Sequence, residues 1–415
     1  MKPQHLITLT STAVFSLLGT ALLWGIWMTG QLRTADNALL DLTQQYLPPD
    51  PVDDSPLVYI KIGDISDQPW PWQSLDYAIL THSILRYFPQ TLAMETPFYR
   101  TDDGPTVYDS QFRNQLRRLN RSLVSVPLTS TGHHLGTAMP LRPFATVPEN
   151  PAMPGYSHGL WPISEVGDAS GLHPQTYPAD HDGRIRRIPL LINYQGKPVA
   201  SQVLTTYATY LGADLASSGA VLGDAIILKD KAAEIIETIP INEKGEITLR
   251  FYPELPLRKE VEFYSVILAS EQAQQGESPP FDLGVFRNSL VMLGKEHPNI
   301  MEPVVTPQGL SSPSRLQLQA LANLLNGTYI KDIPFTLMAL AIYLTLAASI
   351  LISRVTHPLL SLAGTLGFLF YVAAMVAMLF YFKGYWIQPT ALLIAPALGW
   401  IAGRSWIPLI QSKFS

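Results

Sequence analysis

The chain has 415 residues, 47% of them apolar and only 15% charged, with a mean hydropathy of +0.14. That is too long for one ordinary domain and too apolar for an average soluble protein. The absence of cysteine excludes thiol catalysis, Cys-ligated zinc, iron–sulfur clusters and disulfides, and names no compartment.

Charge is distributed unevenly. Met1–Thr29 and Pro334–Ser415 contain no Asp or Glu, so all 33 acidic residues lie between Gly30 and Ile333. The flanks hold five of the 28 basic residues (Lys2, Arg354, Lys383, Arg404 and Lys413), which leaves 23 in the centre and a net charge there of −10. An acidic body between apolar ends argues against nucleic-acid binding, which needs a basic face.

Leu6–Met28 is an uncharged run long enough for a membrane helix, which needs about 20 residues. Trp24 and Trp27 suit interfacial anchors, and no small-residue cleavage site follows, so residues 1–29 read as a retained span rather than a cleaved signal. Leu32, Ala35, Leu39, Leu42 and Tyr46 then repeat at helical spacing. They predict a stalk continuing the first span outward, stopped by Pro48-Pro49-Asp50-Pro51.

Residues 30–333 are enough for one large core. Leu57–Gly63 reads as a strand ending at Asp64, Ser74–Tyr87 as a helix, and Thr91–Glu95 as a second strand ending in an acid. A helix over Ser110–Leu119 and a strand over Ser122–Pro127 follow. This alternation predicts an α/β domain: a mixed, mostly parallel sheet with flanking helices. The six prolines at 140, 143, 148, 151, 154 and 162 predict an extended excursion. Further along, Ile185–Tyr194 reads as a strand, Val199–Leu211 as a helix and Glu246–Tyr252 as a strand. Glu271–Pro280 reads as a surface loop, Ser289–Gly294 as a buried strand and Arg315–Leu325 as a helix.

Three more uncharged runs, 334–353, 359–382 and 387–403, predict about four membrane helices in all, with a tail over 404–415. The lack of charge inside them argues against a transporter or proton pump. Lys2, Arg354, Arg404 and Lys413 on one side against Arg33, Lys331 and Lys383 on the other place both termini in the cytoplasm and the domain outside.

Ile60–Asp64 with Trp70-Pro71-Trp72, Asp180-His181-Asp182-Gly183-Arg184-Ile185-Arg186-Arg187-Ile188-Pro189-Leu190, and the block Leu290–Gly327 with Thr306-Pro307 and Ala320 occur in that order. Together they resemble the class-two CHASE (CHASE2-type) family of extracytoplasmic sensor domains. The layout, one helix before the domain and about three after it, is similar to the family's. The resemblance implies a bacterial inner-membrane protein with a periplasmic sensor domain. Three positions depart from its pattern. Glu95 and Glu302 stand where the resemblance implies Asp, and Gln319 where it implies His. The chain reads as a stand-alone membrane form without an effector domain.

Asp64, Glu95 and Glu302 would lie at strand ends, beyond which open parallel sheets bind ligands. With Asp180 and Asp182 they form an acidic set suited to a cation, or else to capping helices and pairing with Arg186 and Arg187. The two arginines point to opposite faces if they lie on a strand, one for an internal carboxylate, or else they recognise an anionic ligand. Trp70 and Trp72 either line a ligand groove or plug a loop. The histidines at 133, 134, 158, 173 and 181 match no metal-ligand spacing. No G-x-S-x-G, G-x-x-x-x-G-K-[ST] or H-E-x-x-H motif occurs, so a non-enzyme without cofactor or metal is expected.

The expected function is sensing, with the signal passed to a cytoplasmic or membrane partner protein. The alternative is a docking subunit of an envelope or secretion complex. The ligand is unnamed, membrane lipid surrounds the spans, and self-association stays open.

Overall fold

The structure is a computed structural model and describes residues 3–66, 70–99, 106–119, 121–130, 136–141, 144 and 153–406. His133, His134, Pro143, Pro148 and Pro151 lie outside the described residues. The chain divides into two units, residues 1–48 with 330–415, and residues 49–329. The main helices in chain order are α1 (Pro3–Met28), α2 (Arg33–Tyr46), α3 (Ser74–Leu85), α4 (Val107–Arg118), α5 (Gln202–Leu211), α6 (Phe263–Gln275), α7 (Pro313–Asn326), α8 (Phe335–Ser353), α9 (Pro358–Lys383) and α10 (Pro389–Ile401).

In the unit of residues 49–329, the central sheet contains β1 (Leu57–Ile62), β2 (Thr91–Met94), β3 (Ser122–Thr129), β4 (Gly171–Gln175), β5 (Lys259–Glu262) and β6 (Leu290–Lys295). Their spatial order is β5-β1-β6-β2-β3-β4, with every neighbour parallel. His158–Gly159 adds a short antiparallel pairing to β3, so the sheet is mixed and mostly parallel. Alternate residues serve opposite faces. Val58, Ile60, Met94 and Leu293 pack under α3, α4 and α6, through Tyr77, Phe112, Leu116 and Val266. Leu57, Tyr59, Leu290 and Met292 pack under α5 and α7, through Leu204, Leu316 and Leu321. Apolar residues on both faces are what a sheet covered on both sides needs.

Four expectations in this unit change. Ile185–Tyr194 divides into two strands, Arg187–Pro189 and Leu191–Tyr194. The helix expected from Val199 starts at Gln202, because Ser201 accepts the Leu204 N–H and caps it. Only Glu246–Thr248 of the segment 246–252 is strand. The loop expected over Glu271–Pro280 is helical as far as Gln275, and Gly276 ends it. Glu271, Gln272, Ala273, Gln274 and Gln275 are good helix formers, so their polarity marks a solvated helix face rather than a loop. The strand before it, Lys-Glu-Val-Glu, buries only Val261 and is an edge strand blunted by charge.

In the membrane unit, α1, α8 and α9 contain stretches long and apolar enough to cross a bilayer, at Thr10–Met28, Thr336–Ser353 and Pro358–Lys383. Among the described residues these are three candidate spans rather than four. The run 387–403 forms only a 13-residue α-helix, α10, continued by a π-helical turn, Ala402–Trp406. Its α-helical part is about 20 Å long against a hydrocarbon core of about 30 Å.

Helix α10 packs against α8, α1 and α9. It and the π-helical turn that follows meet α8 through Gly399 and Gly403, four residues apart, opposite Ser349 and Ser353. A Cβ on Gly399 would lie 2.8 Å from Ser349 Cβ and 2.9 Å from the Leu346 carbonyl, and one on Gly403 would overlap Ser353 Oγ. Small residues at this spacing let two membrane helices approach closely. Ser349 Oγ donates to the Pro396 carbonyl at 2.5 Å, joining the same pair.

Helix α2 does not continue α1. A turn over residues 29–32 separates them, and the buried stripe of α2 is Asp36, Leu40 and Gln44. Of the residues at helical spacing, Leu42 and Tyr46 are 49% and 73% exposed. The reason is polar: Asp36 Oδ1 accepts the Thr390 N–H at 3.0 Å, at the N-terminus of α10, where a negative charge is favoured. Leu40 packs with Ile330, Phe380 and Trp386 beside this contact.

Gly399→Leu should destabilise the membrane unit by about 1–3 kcal/mol through overpacking. Gly25→Leu, at a position with open space around its Cβ, should not. Denaturant midpoints of the full chain in detergent check this, and equal midpoints for the two variants would refute the close-packed seam.

Candidate functional site

Because β6 enters between β1 and β2, the carboxyl ends of all three strands lie side by side. The residues that follow them are Gly63-Asp64, Glu95 and Glu296. The backbone holds this register, with Glu95 N–H donating to the Leu293 carbonyl at 2.9 Å.

Glu95 is 5% exposed. Its Oε2 accepts from Ser314 Oγ at 3.3 Å and from the Lys295 N–H at 3.4 Å, and its Oε1 lies 3.7 Å from Lys295 Nζ. Burial raises the Glu95 pKa, and Lys295 opposes that rise in part. Ser314 reaches the carboxylate because residue 294 is glycine: a Cβ there would overlap Ser314. The first turn of α7 therefore sits directly on the end of β6.

Glu296 moors the same turn. Its Oε1 accepts from Ser312, the N-cap of α7, at 2.6 Å and from the Tyr59 hydroxyl at 2.7 Å. Arg315 donates from Nε to Glu296 Oε2 at 3.3 Å and from Nη2 to Glu260 Oε1 at 2.9 Å. Lys61 completes the row, 3.0 Å from Glu260 and 3.4 Å from Glu262. One network thus ties β5, β1 and β6 to the start of α7.

Behind Glu95 is an uncharged polar network. Gln202 Nε2 donates to the Met94 carbonyl at 3.1 Å, and Gln317 Nε2 donates to Gln202 Oε1 at 3.1 Å and to the Tyr177 hydroxyl at 2.6 Å. Gln175 Nε2 also donates to Tyr177. These side chains line a cavity of about 10 Å³, room for one water at most. Gln175 Oε1 is buried and has no hydrogen-bond partner.

The other sequence-predicted residues are placed as follows. Asp180, Asp182, Arg186 and Arg187 come together. Arg186 is 1% exposed and donates to Asp180 Oδ2 at 2.9 Å, Asp182 Oδ1 at 2.9 Å and Asp182 Oδ2 at 2.7 Å. Arg187 donates to Asp180 Oδ1 at 2.7 Å. These bonds hold the Asp182 carboxyl down at about 2. Trp70 and Trp72 meet each other at 5.7 Å, and Trp72 packs on Phe263 and Tyr264 at 4.8 Å each. Asp64 accepts from Ser66 N–H and Oγ at 2.9 and 2.7 Å, which lowers its pKa. Glu302 is exposed in the loop after β6. Among the described residues no hydrogen bond or ion pair joins Asp64 or Glu302 to Glu95, and no group of three or more His, Asp or Glu could hold a metal ion.

Gln319 is engaged with backbone. Its Oε1 accepts the Tyr252 N–H at 3.0 Å and its Nε2 donates to the Tyr252 carbonyl at 2.9 Å. Asn323, one turn on, does the same to Arg250, at 2.8 and 2.9 Å. Two amides on α7 thereby stand in for a strand beside residues 250–252.

Sequence reasoning missed Lys295, Glu296, Ser314, Arg315, Gln175, Tyr177, Gln202 and Gln317. Signals existed for two parts: Ser312-Pro313 is a helix-start pattern, and Glu296 directly follows the buried strand. The glutamines carry no pattern.

The CHASE2 domain family model matches residues 18–353, which is most of the chain. The chain belongs to the CHASE2 domain family, a family of extracytoplasmic sensory domains. No curated protein and no solved structure matches it.

Arg186→Met should cost about 3 kcal/mol, the lower end for breaking a buried pair, because Asp182 stays partly exposed. Asp182 is depressed in the folded state, so its contribution is present above pH 3.8 and is lost as pH falls through about 2. Acid unfolding of wild type and Asp182→Asn checks this, and coincident acid limbs would refute it. Gln319→Leu should cost about 1–3 kcal/mol by leaving the buried Tyr252 N–H without an acceptor. An unchanged unfolding midpoint would contradict that role.

Proposed function

We propose that the chain is a membrane-anchored extracytoplasmic sensor that passes its signal to a separate partner protein through its membrane helices. The observation that carries this reading is the mooring of α7. Its first turn is held by Glu95 and Glu296 at the carboxyl edge of the sheet, where open parallel sheets take ligands. Its last residue, Asn326, is followed by only eight residues before the membrane helix α8. A ligand that binds the edge better with α7 in one position than in another shifts that equilibrium, and this difference in affinity is the signal. The ligand site we assign is the edge around Glu95 and Asp64, with Glu302 on the adjoining loop.

For topology, we assign α10 and its π-helical continuation as a fourth crossing that returns the C-terminus to the cytoplasm. A docking role in an envelope complex is the second reading. It is favoured by the hairpin Val304–Ser311, where Val305 is 42% and Leu310 76% exposed.

Full-length protein, cross-linked and purified from native membranes, should carry a stoichiometric partner with a cytoplasmic kinase or cyclase domain. A set of envelope proteins in its place would support the docking reading, and recovery of the chain alone would overturn partner signalling. A phosphatase reporter that is active only outside the cytoplasm should be active when inserted at Gly276 and inactive when fused after Ser415. Activity at Ser415 would mean three crossings.

A further inference from the structure

We propose that the amino edge of the central sheet is a docking surface for the headgroups of anionic phospholipid, with Phe88 as the side chain that enters the bilayer surface. The proposal goes beyond the sensor reading. It needs the domain to be tethered to membrane helices, and it needs neither a ligand nor a signalling partner.

Because β5, β1, β6, β2, β3 and β4 run parallel, the segments that lead into them share one edge of the sheet. The segments leading into β2, β3 and β6, residues 84–91, 115–123 and 284–291, contain Arg86, Arg117, Arg118, Arg121 and Arg287 and no Asp or Glu. All five arginines are exposed. Arg258, exposed ahead of β5, joins them by donating from Nη1 to the Arg287 carbonyl at 3.1 Å. Among the described residues none of the six is in an ion pair. Their hydrogen bonds go to uncharged groups, as from Arg118 to the Gln115 side chain at 3.1 Å and from Arg121 to the Thr209 carbonyl at 2.6 Å. The segment between Gly30 and Ile333 has a net charge of −10, so carboxylates are plentiful elsewhere. Unpaired guanidinium groups gathered on one edge suit phosphate, whose oxygens their planar forks grip in pairs.

Phe88 projects from the middle of these arginines and is 74% exposed. Its backbone is left-handed, with φ of +55°, and so is that of Asn288 beside it, with φ of +53°. A bulky side chain rarely adopts that conformation and keeps it only where its surroundings impose it. Here hydrogen bonds impose it from both loops. Phe88 N–H donates to the Leu85 carbonyl at 3.2 Å, Asn288 N–H to the Phe88 carbonyl at 3.2 Å, and Gln90 N–H to the Ser289 carbonyl at 2.9 Å. The two loops thus hold a phenyl ring out in water. An exposed aromatic ring among basic side chains is the pattern of surfaces that lie at a bilayer interface.

The course of the chain selects lipid as the occupant. Helix α7 begins on the carboxyl end of β6, where Ser314 accepts the Lys295 N–H at 3.1 Å. It then packs back along the sheet, and its Leu324 shares a core with Leu57 and Leu290, the first residues of β1 and β6. From its end, residues 327–334 lead to α8, which contains the candidate span Thr336–Ser353. Eight residues reach about 29 Å at full extension, so this edge is tethered close to a bilayer. The chain also enters β1 at this edge, from the unit that holds α1. A tether of that length keeps the arginines at high effective concentration beside lipid phosphates, and attraction to an anionic surface falls off within a Debye length.

The test uses the full chain in lipid nanodiscs. The chain has no cysteine, so Arg118→Cys at the rim of the patch and Glu302→Cys on the opposite edge each give one labelling site. Arg118→Cys keeps Phe88 and the other five arginines. A fluorophore at residue 118 should be quenched by spin-labelled lipid headgroups about twofold more in discs rich in phosphatidylglycerol than in phosphatidylcholine discs, and high salt should remove the difference. A fluorophore at residue 302 should show no such difference. Adding Arg86→Gln, Arg121→Gln and Arg287→Gln, all exposed and unpaired, should abolish the difference at 118, and adding Phe88→Ser should reduce it. Equal quenching at 118 in the two kinds of disc would mean tethering without docking and would overturn the proposal. So would a difference that survives the three glutamines. No difference in discs, with the label at 118 shielded in native membranes by a protein, would replace lipid by an acidic partner surface. The sensor reading is tested separately by recovery of its partner and stands or falls apart from this result.

Discussion

The two-sided pairing of β6 is the constraint on which the domain depends. A strand between two parallel neighbours must satisfy its backbone on both edges, and here the neighbours β1 and β2 lie about 200 residues earlier in the chain. Once Leu290–Lys295 is in place, Val291 and Leu293 complete one face of the core and Leu290 and Met292 the other. The same register brings Lys295 to Glu95 and Glu296 to Tyr59. Gly294 then admits Ser314, so the strand that closes the core also seats α7. Packing and site have one cause.

What was legible in the sequence follows from this. β1, β2 and β6 are short apolar runs ending in polar residues, and a run buried on both faces announces itself without alternation. The candidate membrane spans α1, α8 and α9 are legible for a similar reason, since lipid asks the same of every face. β5 and α6 are not legible, because an edge strand and a solvated helix expose the charges that make them resemble loops. The stalk expected over α2 is instead a separate helix, because Asp36 is held by the N–H of Thr390 at a helix start while Leu40 beside it packs on Ile330, Phe380 and Trp386.

The site divides in the same way. Glu95 was visible as an acid at the end of a strand, and the D-x-D-G segment with its two arginines was visible as a motif. Its members are local in sequence, so their meeting is a property of one turn. Gln175, Gln202 and Gln317 belong to a strand end and two separate helices. They meet only after the sheet forms, and no spacing encodes that. The pair Gln319 and Asn323 lies between these cases. Their four-residue spacing was readable, but their partners, the backbones of Tyr252 and Arg250, were not. An amide presents a donor and an acceptor side by side, which matches one residue of an open strand edge, whereas an imidazole presents its two nitrogens on divergent sides of the ring. Glutamine at 319 is therefore consistent with backbone support.

The two carboxylate environments of the domain are opposite in design. Around Asp180 and Asp182 a fully buried guanidinium spends three hydrogen bonds on two acids, and the Asp182 carboxyl is held down at about 2. That arrangement holds the turn that leads into Arg187–Pro189. Around Glu95 a single ammonium stands at 3.7 Å, and burial works against the charge while Lys295, Ser314 and Gln175 support it. Glu95 is also the carboxylate that touches the first turn of α7, through Ser314, whereas the D-x-D-G turn is held by Arg186 and by Arg187 beside it.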